Sequence, residues 1–225
     1  NAAQGGAAIF ISDKYTATNL DVINCTFTEN TATNAGGAIL IDATYGNGVA
    51  YNIFDSEFTA NEAINDAAGA CVAGGAIYTE GDAHGAIKGS TFTGNKAYSD
   101  VSGTCVARGA IYSEGTSVGT IANSLFTENK ADSDYYANGG AIKVQFGGTA
   151  TIENTTFADN EAAQNGGAIS VQANVDENCE VFINNCTFVG NEAPAGGAIS
   201  ALQTVGRSNV IVKDSNFANN KAGVG

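Results

Sequence analysis

Residues 27–39 read FTENTATNAGGAI, and this stretch contains both of the motifs that decide the fold. The first motif, Phe-x-x-Asn-x-Ala, occurs seven times along the chain, and the second, Gly-Gly-Ala-Ile, occurs five times with two close variants. Successive phenylalanines of the first motif are 31, 34, 34, 31, 31 and 29 residues apart. A repeat of this period is typical of a solenoid, in which each unit packs on its neighbours. The sequence therefore predicts seven stacked units of about 31 residues.

Each unit contains short segments of alternating polarity and no stretch of helical period. An isoleucine closes every copy of the glycine motif, whereas the residue after it varies in size and charge. The seven isoleucines are Ile9, Ile39, Ile77, Ile111, Ile142, Ile169 and Ile199. The residues that follow them are Phe10, Leu40, Tyr78, Tyr112, Lys143, Ser170 and Ser200. Because side chains alternate across a strand, we expect the isoleucines to face inward and their neighbours outward.

Strands that no helix separates must pair with the equivalent strands of the next unit. The predicted fold class is therefore all-β: a right-handed parallel β-helix of about seven coils, forming a single domain over residues 1–225. Two more columns are expected inside. One lies five residues before each phenylalanine and comprises Val22, Ile53, Ile87, Ile121, Ile152, Ile183 and Val212. The other lies two residues before it and comprises Cys25, Ser56, Ser90, Ser124, Thr155, Cys186 and Ser215.

The glycines and asparagines have positions that suit a coil. Paired glycines are expected at corners, where the backbone needs positive φ or a close approach to another strand. Stacked asparagines can form amide ladders, because equivalent positions lie about 4.8 Å apart. The predicted structural ladder is Asn30, Asn61, Asn95, Asn129, Asn160, Asn191 and Asn220. A second, incomplete column before the phenylalanines comprises Asn24, Asn123, Asn154 and Asn185.

Composition limits the classes of partner. The chain has 23 acidic against 9 basic side chains and a formal charge of −14, so it would repel phosphate backbones and anionic lipids. We therefore expect no nucleic-acid binding. No apolar run approaches the roughly 20 residues that span a bilayer, and we expect no membrane span in this segment.

The alternation of the two motifs resembles the passenger repeats of chlamydial polymorphic membrane proteins and the adhesin-like β-helix proteins of archaeal and bacterial surfaces. The resemblance covers all seven coils. It implies an extracellular or cell-surface protein that holds partners or builds a fibre, rather than one that turns over a substrate, and it implies no particular receptor. We expect no cofactor, and the expected partners are further copies of the chain, or a host or cell-surface protein or glycan.

The five cysteines separate by their position in the repeat. Cys25 and Cys186 occupy the inward hydroxyl column and are expected to be buried. Cys71 and Cys105 each precede a corner glycine by four residues, in insertions of adjacent coils. Equivalent positions on neighbouring coils lie within disulfide range, which predicts a Cys71–Cys105 disulfide, with two stacked free thiols as the alternative. Cys179 is left either to pair with Cys186 or to remain free.

A carbohydrate-active β-helix enzyme, a polysaccharide lyase or hydrolase, is the alternative from another class. Such chemistry needs clustered carboxylates, alone or with Arg or Lys, on one outward face. The positions that flank the phenylalanines carry one carboxylate, Glu57, and mostly threonine. The position after each repeated asparagine reads as a solvated charge stripe: Thr31, Glu62, Lys96, Lys130, Glu161, Glu192 and Lys221. We therefore predict no catalytic residues and no enzyme.

The remaining candidate ligands are isolated. His84 is the sole histidine and is expected to be a surface residue in a loop. Four acidic residues in turns, Asp132, Asp134, Asp176 and Glu177, could offer oxygens to Ca²⁺. Because no Gly- and Asp-rich nonapeptide repeat accompanies them, we assign no metal site.

A further alternative is ice binding, because hydroxyls around the phenylalanines recur at a regular rung spacing, as in Thr26-Phe27-Thr28 and Thr91-Phe92-Thr93. Glu57, Leu125 and Ala158 interrupt this array. Ordinary β-propensity of threonine also explains it.

The two ends of the chain are in phase with the repeat, and neither shows a capping segment. Open strand edges are normally covered in solenoids. We therefore expect either a segment of a longer solenoid or a subunit that stacks head to tail into a filament.

Overall fold

The computed structural model describes residues 5–65, 73–99, 106–134, 136–174, 177–203 and 206–223. In these ranges the chain forms four sheets of seven strands each and one two-stranded sheet. Neighbouring strands in the large sheets are parallel and come from successive coils. The described residues include no helix of the length and hydropathy that a membrane span requires. The predicted all-β parallel solenoid is thus confirmed.

The strands are numbered in chain order, and each coil contributes one strand to each of four sheets. Sheet A comprises β1 (Ile9–Ser12), β5 (Ile39–Ala43), β9 (Ile77–Gly81), β14 (Ile111–Glu114), β19 (Ile142–Gln145), β23 (Ile169–Ala173) and β27 (Ile199–Gln203). Sheet B comprises β2 (Thr18–Ile23), β6 (Val49–Phe54), β10 (Ala83–Lys88), β15 (Val118–Ala122), β20 (Thr149–Glu153), β24 (Cys179–Asn184) and β28 (Ser208–Lys213).

Sheet C, which carries the repeated phenylalanines, comprises β3 (Thr26–Thr28), β7 (Glu57–Thr59), β11 (Thr91–Thr93), β16 (Leu125–Thr127), β21 (Thr156–Ala158), β25 (Thr187–Val189) and β29 (Asn216–Ala218). Sheet D comprises β4 (Thr31–Thr33), β8 (Glu62–Asn65), β12 (Lys96–Ser99), β17 (Lys130–Asp132), β22 (Glu161–Ala162), β26 (Glu192–Ala193) and β30 (Lys221–Ala222). The small sheet pairs β13 (Val106–Ala107) with β18 (Tyr136–Ala137).

The core is a set of continuous columns that run along the solenoid axis. The isoleucines of sheet A pair rung to rung in register, and so do the phenylalanines of sheet C. The seven phenylalanine rings stack nearly parallel, with centroids 4.6 to 5.1 Å apart. This distance matches the spacing of paired strands, so backbone pairing and ring stacking support the same register.

The corner glycines have the geometry expected of them. Gly36 has φ of 58°, and a Cβ on the following Gly37 would lie 1.8 Å from the backbone oxygen of Gly75. A side chain at Gly37 would therefore collide with the next coil. In the coil where Arg108 replaces the first glycine, the positive φ moves to Gly109, at 29°.

The inward column of small residues bonds one coil to the next. The hydroxyl of Ser90 accepts the backbone N–H of Ser56 at 3.2 Å, and the hydroxyl of Ser124 accepts that of Ser90 at 3.2 Å. The same oxygens donate to carbonyl groups two residues earlier, as Ser124 does to Ala122 at 2.9 Å. The column therefore supplies a hydroxyl or a thiol that bonds the backbone where a strand is interrupted, and small size alone does not explain it.

One hydroxyl in the core has no such partner. Thr79 lies in β9 at an inward position and is 2% exposed, and its Oγ1 makes no hydrogen bond to any residue that the structure describes. The next coil places Ser113 beside it, in a column that is otherwise mostly aliphatic. A buried, unbonded hydroxyl is destabilising by about 1–3 kcal/mol.

We expect Thr79→Val to raise the free energy of unfolding by about 1 kcal/mol, because valine has the same shape without the polar atom. Urea denaturation followed by circular dichroism measures the change. Thr93→Val is the matched control, since the hydroxyl of Thr93 bonds to that of Thr127 at 3.1 Å and its loss should not stabilise the protein. A destabilised Thr79→Val protein would contradict the assignment.

Candidate functional site

The repeated asparagines form a buried ladder beside the phenylalanine stack. Each amide from Asn30 to Asn191 donates to the Oδ1 of the asparagine in the next coil, at 2.8 to 3.0 Å. The backbone N–H of each donates to the same oxygen. From Asn61 onward the amide also donates to the carbonyl of the phenylalanine one coil earlier, as Asn129 does to Phe92 at 2.9 Å. The ladder ties the turn of each inner coil to both neighbouring coils.

The asparagines before the phenylalanines form a shorter, exposed ladder. Asn154 donates to Asn123 at 3.2 Å, and Asn185 donates to Asn154 at 2.8 Å. Asn24 lies in the same column, where the next coil carries Asp55. All four of these asparagines have positive φ, which asparagine tolerates better than most residues.

The outward side of sheet A carries carboxylates, tyrosines and a lysine in neighbouring coils, and we call it the sheet A face. Its first column is the one after the isoleucines, and its second column lies two residues further on. The second column comprises Ser12, Asp42, Glu80, Glu114, Gln145, Gln172 and Leu202. Three successive coils therefore place a carboxylate at the same position.

The first column of the sheet A face points away from the core, but it is not exposed as an outward column would suggest. Phe10 is 58% exposed, whereas Leu40, Tyr78, Tyr112, Lys143, Ser170 and Ser200 are buried. Ala35 and Ala73, which precede two glycine corners, pack with Leu40, Tyr78 and Tyr112 in a separate apolar cluster. The segments that lead into the corners thus add a second layer, which alternation within a strand cannot reveal.

Tyr78 connects two of the carboxylates on the sheet A face. Its hydroxyl lies 2.9 Å from an Oε2 of Glu80 and 2.6 Å from the Oε2 of Glu114. A phenol has one proton to donate, so both contacts are hydrogen bonds only when one carboxyl is protonated. Burial, together with the charges of Asp42 and Glu114, raises the pKa of Glu80 and so favours that proton. Burial and the two glutamates also raise the pKa of Tyr78.

Two cations follow in the neighbouring coils of the same face. The guanidinium of Arg108 lies 4.2 Å from the ring centroid of Tyr112, and the Nε of Arg108 is buried with no hydrogen-bond partner in the described part of the chain. Lys143 is 0% exposed, and its Nζ donates to Ser170 Oγ at 3.1 Å and to Gln172 Oε1 at 2.9 Å. Burial, and then the charge of Arg108, lowers the pKa of Lys143 to about 7. The Lys143 amine is therefore bonded to two neutral side chains, and its burial disfavours the charged form.

A shallow groove of about 370 Å³ runs along the first three coils of the sheet A face. Phe10, Leu40 and Tyr78 form its apolar side, and Asp42 and Glu80 form its acidic side. The groove ends before Tyr112 and Lys143, which are fully buried. The part of the face that is open to a ligand is thus acidic and aromatic.

The adjoining loop between sheets A and B is fixed by one buried carboxylate. Asp13 accepts the backbone N–H groups of Tyr45, Asn47 and Gly48 at 2.8 to 3.0 Å. Burial raises the pKa of Asp13, but the backbone donors together lower this pKa by more, so the net shift of the pKa is downward. The exposed rings of Tyr15 and Tyr45 lie near this loop, with centroids 5.6 and 6.0 Å from the Lys14 amine.

The described residues include three of the five cysteines, Cys25, Cys179 and Cys186, and all three are free thiols. Cys179 and Cys186 are buried, and burial raises the pKa of each. The prediction that Cys25 is buried is wrong, because Cys25 lies in the first coil, where no described coil covers its outer side. The proposed Cys71–Cys105 disulfide lies outside the described residues and remains a prediction.

The other isolated candidates do not converge. His84 is exposed and lies 2.7 Å from Asp82. It is the second residue of β10, so the prediction that it lies in a loop is wrong. The loop is shorter than expected because β9 ends at Gly81 and β10 already begins at Ala83. Asp132 lies 3.5 Å from Lys130, Asp134 and Glu177 are exposed, and Asp176 lies outside the described residues. Within the described ranges no three acidic, histidine or cysteine side chains are grouped to hold a metal.

The charge stripe of sheet D forms pairs between neighbouring coils. Lys130 lies 3.0 Å from Glu161, and Lys221 lies 3.4 Å from Glu192. The hydrogen bond that Lys130 donates to Glu161 is the main cause that raises the pKa of Lys130. Exposed pairs of this kind contribute roughly 0–1 kcal/mol each, so the stripe is mainly a solvated surface.

Sequence reasoning missed the sheet A face because it searched for carboxylates beside the phenylalanines. A signal was present: the position three residues after the motif isoleucine reads Asp, Glu and Glu in three successive coils. The burial of Lys143 had no comparable signal, since the same column also holds aromatic and hydroxyl residues.

Stacked parallel strands, continuous inward columns and a buried amide ladder define this chain as a β-solenoid repeat protein. A family model described as the right-handed beta helix region matches residues 46–225, about four fifths of the chain. The chain belongs to this right-handed β-helix family. The model of the Chlamydia polymorphic membrane protein repeat matches residues 24–42, which confirms the resemblance to these surface-protein repeats. No curated protein and no solved structure matches the sequence.

Proposed function

We propose that this protein is an extracellular structural or adhesive β-solenoid, either a segment of a longer surface protein or a subunit that stacks into a filament. One observation carries the proposal. The polymorphic membrane protein repeat matches residues 24–42, and the structure repeats its phenylalanine and asparagine in all seven coils, with a glycine corner between each coil and the next. The partner would be a copy of the chain or a host or cell-surface protein or glycan.

The sheet A face favours binding over catalysis. It does hold carboxylates together with Arg and Lys, which is the observation that supports the alternative of a polysaccharide lyase or hydrolase. However, Lys143 and Tyr112 are fully buried, and the hydroxyl of Tyr78 already contacts two carboxylates. A general base must reach the proton that it removes. Tyr112 and Lys143 do not line the open groove, and the hydroxyl of Tyr78, which does border it, is engaged by the two carboxylates. The acidic and aromatic groove is better suited to holding a ligand.

Surface display and adhesion are tested separately. Antibodies raised against the chain should label intact, unpermeabilised cells of the native organism, and beads coated with the chain should adhere to cultured host or neighbouring cells. Beads coated with albumin are the control. Labelling that appears only after permeabilisation would contradict an extracellular role.

The enzyme alternative is tested with the same protein. We expect no release of reducing ends and no unsaturated product from polygalacturonate, alginate or chondroitin sulfate over a day of incubation. Turnover that Glu80→Gln or Glu114→Gln abolishes would contradict the proposal and place a catalytic site on the sheet A face.

A further inference from the structure

We propose that Asn24, Asn154 and Asn185 are attachment sites for N-linked glycans, on the turn that joins sheets B and C. This inference rests on the proposed extracellular role, because N-linked glycans are attached to secreted chains. Of the 25 asparagines in the chain, these three begin an Asn-x-Ser/Thr motif, the acceptor motif of N-glycosylation. The motifs read Asn24-Cys25-Thr26, Asn154-Thr155-Thr156 and Asn185-Cys186-Thr187.

The three acceptor asparagines occupy the same position of the coil. Each lies between a strand of sheet B and a strand of sheet C, is exposed, and has a φ between 49° and 53°. The motif threonine follows two residues later as the first residue of the sheet C strand, next to a buried phenylalanine. Since neighbouring side chains of a strand point to opposite faces, the threonine points outward. The amide and the hydroxyl of each motif are therefore both on the outside of the solenoid.

The local structure of the turn does not by itself require the complete motif. Asparagine tolerates positive φ, and threonine is favoured in strands, so each residue alone has a structural explanation. Asn123, however, is exposed in the same turn with a φ of 52°, and Leu125 stands where its threonine would be. The remaining turns of the column carry Asp55, Gly89 and Asp214. The fold thus accepts turns without the motif, and Asn123 is a control within the chain.

Attachment of a glycan is compatible with the exposed amide ladder. A side-chain amide has two N–H groups, and the ladder uses one of them: Asn185 donates to Asn154 at 2.8 Å, and Asn154 donates to Asn123 at 3.2 Å. The glycan donor is a lipid-linked oligosaccharide pyrophosphate. The Nδ2–C1 bond forms, the bond between C1 and the pyrophosphate breaks, and the amide loses one proton as the lipid pyrophosphate leaves. The second N–H remains and can still donate to the ladder.

Glycans at these positions would cover the corner between sheets B and C. Each coil places a strand of sheet B between this corner and sheet A, so the groove of the sheet A face stays open to a ligand. Asn154 and Asn185 lie one strand spacing apart, about 4.8 Å, and two glycans there would crowd each other. We therefore expect a glycan on Asn24 and on at least one member of this pair.

The sites can be mapped on the protein purified from the surface of its native organism. Peptide-N-glycosidase in heavy-oxygen water converts a glycan-bearing asparagine into a labelled aspartate, which peptide mass spectrometry locates. We expect the label at Asn24 and at Asn154, Asn185 or both, and no label at Asn123. Absence of the label from all three motifs would overturn the proposal. A label at Asn123 would overturn it too, because the motif would then not determine the site.

Thr26 provides a matched pair of substitutions, made in the chain secreted from a eukaryotic cell line. Thr26→Ala removes the motif and Thr26→Ser keeps it, and neither should disturb the fold because Thr26 is exposed. We expect Thr26→Ala to lose the label at Asn24 completely and Thr26→Ser to retain it, with identical circular dichroism spectra. A glycan on Asn24 in Thr26→Ala would contradict the assignment.

Failure of the glycan sites is distinguishable from failure of the proposed function. Intact cells that antibodies label, with all three asparagines unmodified, would refute the glycan sites and leave the extracellular role in place. Labelling that appears only after permeabilisation would refute the extracellular role itself.

Discussion

Replacing Phe126 with alanine is expected to lower the free energy of unfolding by about 3–5 kcal/mol, the loss that follows when a fully buried aromatic ring leaves a cavity. The ring is 0% exposed and lies between Phe92 and Phe157, at centroid distances of 4.6 and 5.1 Å. The neighbouring rings cannot close the gap, because the strands of sheet C and the asparagine ladder hold the coils at fixed spacing. The cavity therefore remains open.

The Phe126→Ala substitution should also weaken the packing between the coils before and after the fourth coil. Since stability in a repeat protein depends on contacts between nearest neighbours, a defect in the fourth coil weakens both of its interfaces. Urea denaturation should show a lower midpoint, and hydrogen exchange should accelerate first in β16 and its partners β11 and β21. Phe217→Ala is the matched control, because this ring is already 49% exposed and its loss should cost about 1 kcal/mol. A loss below about 1.5 kcal/mol for Phe126→Ala would show that the stack contributes little.

Much of this architecture was predictable because a solenoid repeats its own constraints. Each inward position is sampled seven times, so a column such as the isoleucines is recognisable without any knowledge of pairing. The corner glycines are recognisable for the same reason, since five of the seven copies carry both glycines and the other two carry one. Periodicity thus supplied what a single copy of the motif could not.

Features that occur in only a few coils were not predictable in this way. The second layer over the sheet A face depends on the segments that lead into the corners, and these vary in length between coils. Exposure of Cys25 depends on its place in the first coil, which its column does not encode. The contact of Tyr78 with Glu80 and Glu114 joins residues 36 positions apart in the chain. Only the three-dimensional stacking brings such groups together.

Lys143 shows how a position that tolerates many residues can still affect stability. Its column accepts phenylalanine, leucine, tyrosine and serine in other coils, so the fold does not require a lysine there. Because the corner segments bury the column, the amine is removed from water near the like charge of Arg108. A buried charge without a counter-ion is destabilising, and two neutral hydrogen-bond partners offset this effect only in part.

Lys143→Met is therefore expected to stabilise the protein at neutral pH by about 2–3 kcal/mol, and not at pH 10. With a folded pKa of about 7 against an ordinary value near 10.4, the unfolded chain binds more protons than the folded chain between these two pH values. The stability of the unmodified protein should consequently rise with pH across this window, by up to about 1.4 kcal/mol per pH unit, and the variant should lose this slope. Because the variant also loses the hydrogen bonds to Ser170 and Gln172, the gain in stability is smaller than the pKa shift of Lys143 alone would give.

Urea denaturation at pH 6, 7, 8.5 and 10 measures the gain in stability at neutral pH and the slope of stability against pH. Lys88→Met, at an exposed position, is the matched control. A variant that is less stable at pH 7, or that keeps the slope, would show that the Lys143 amine is charged and well accommodated in the folded protein.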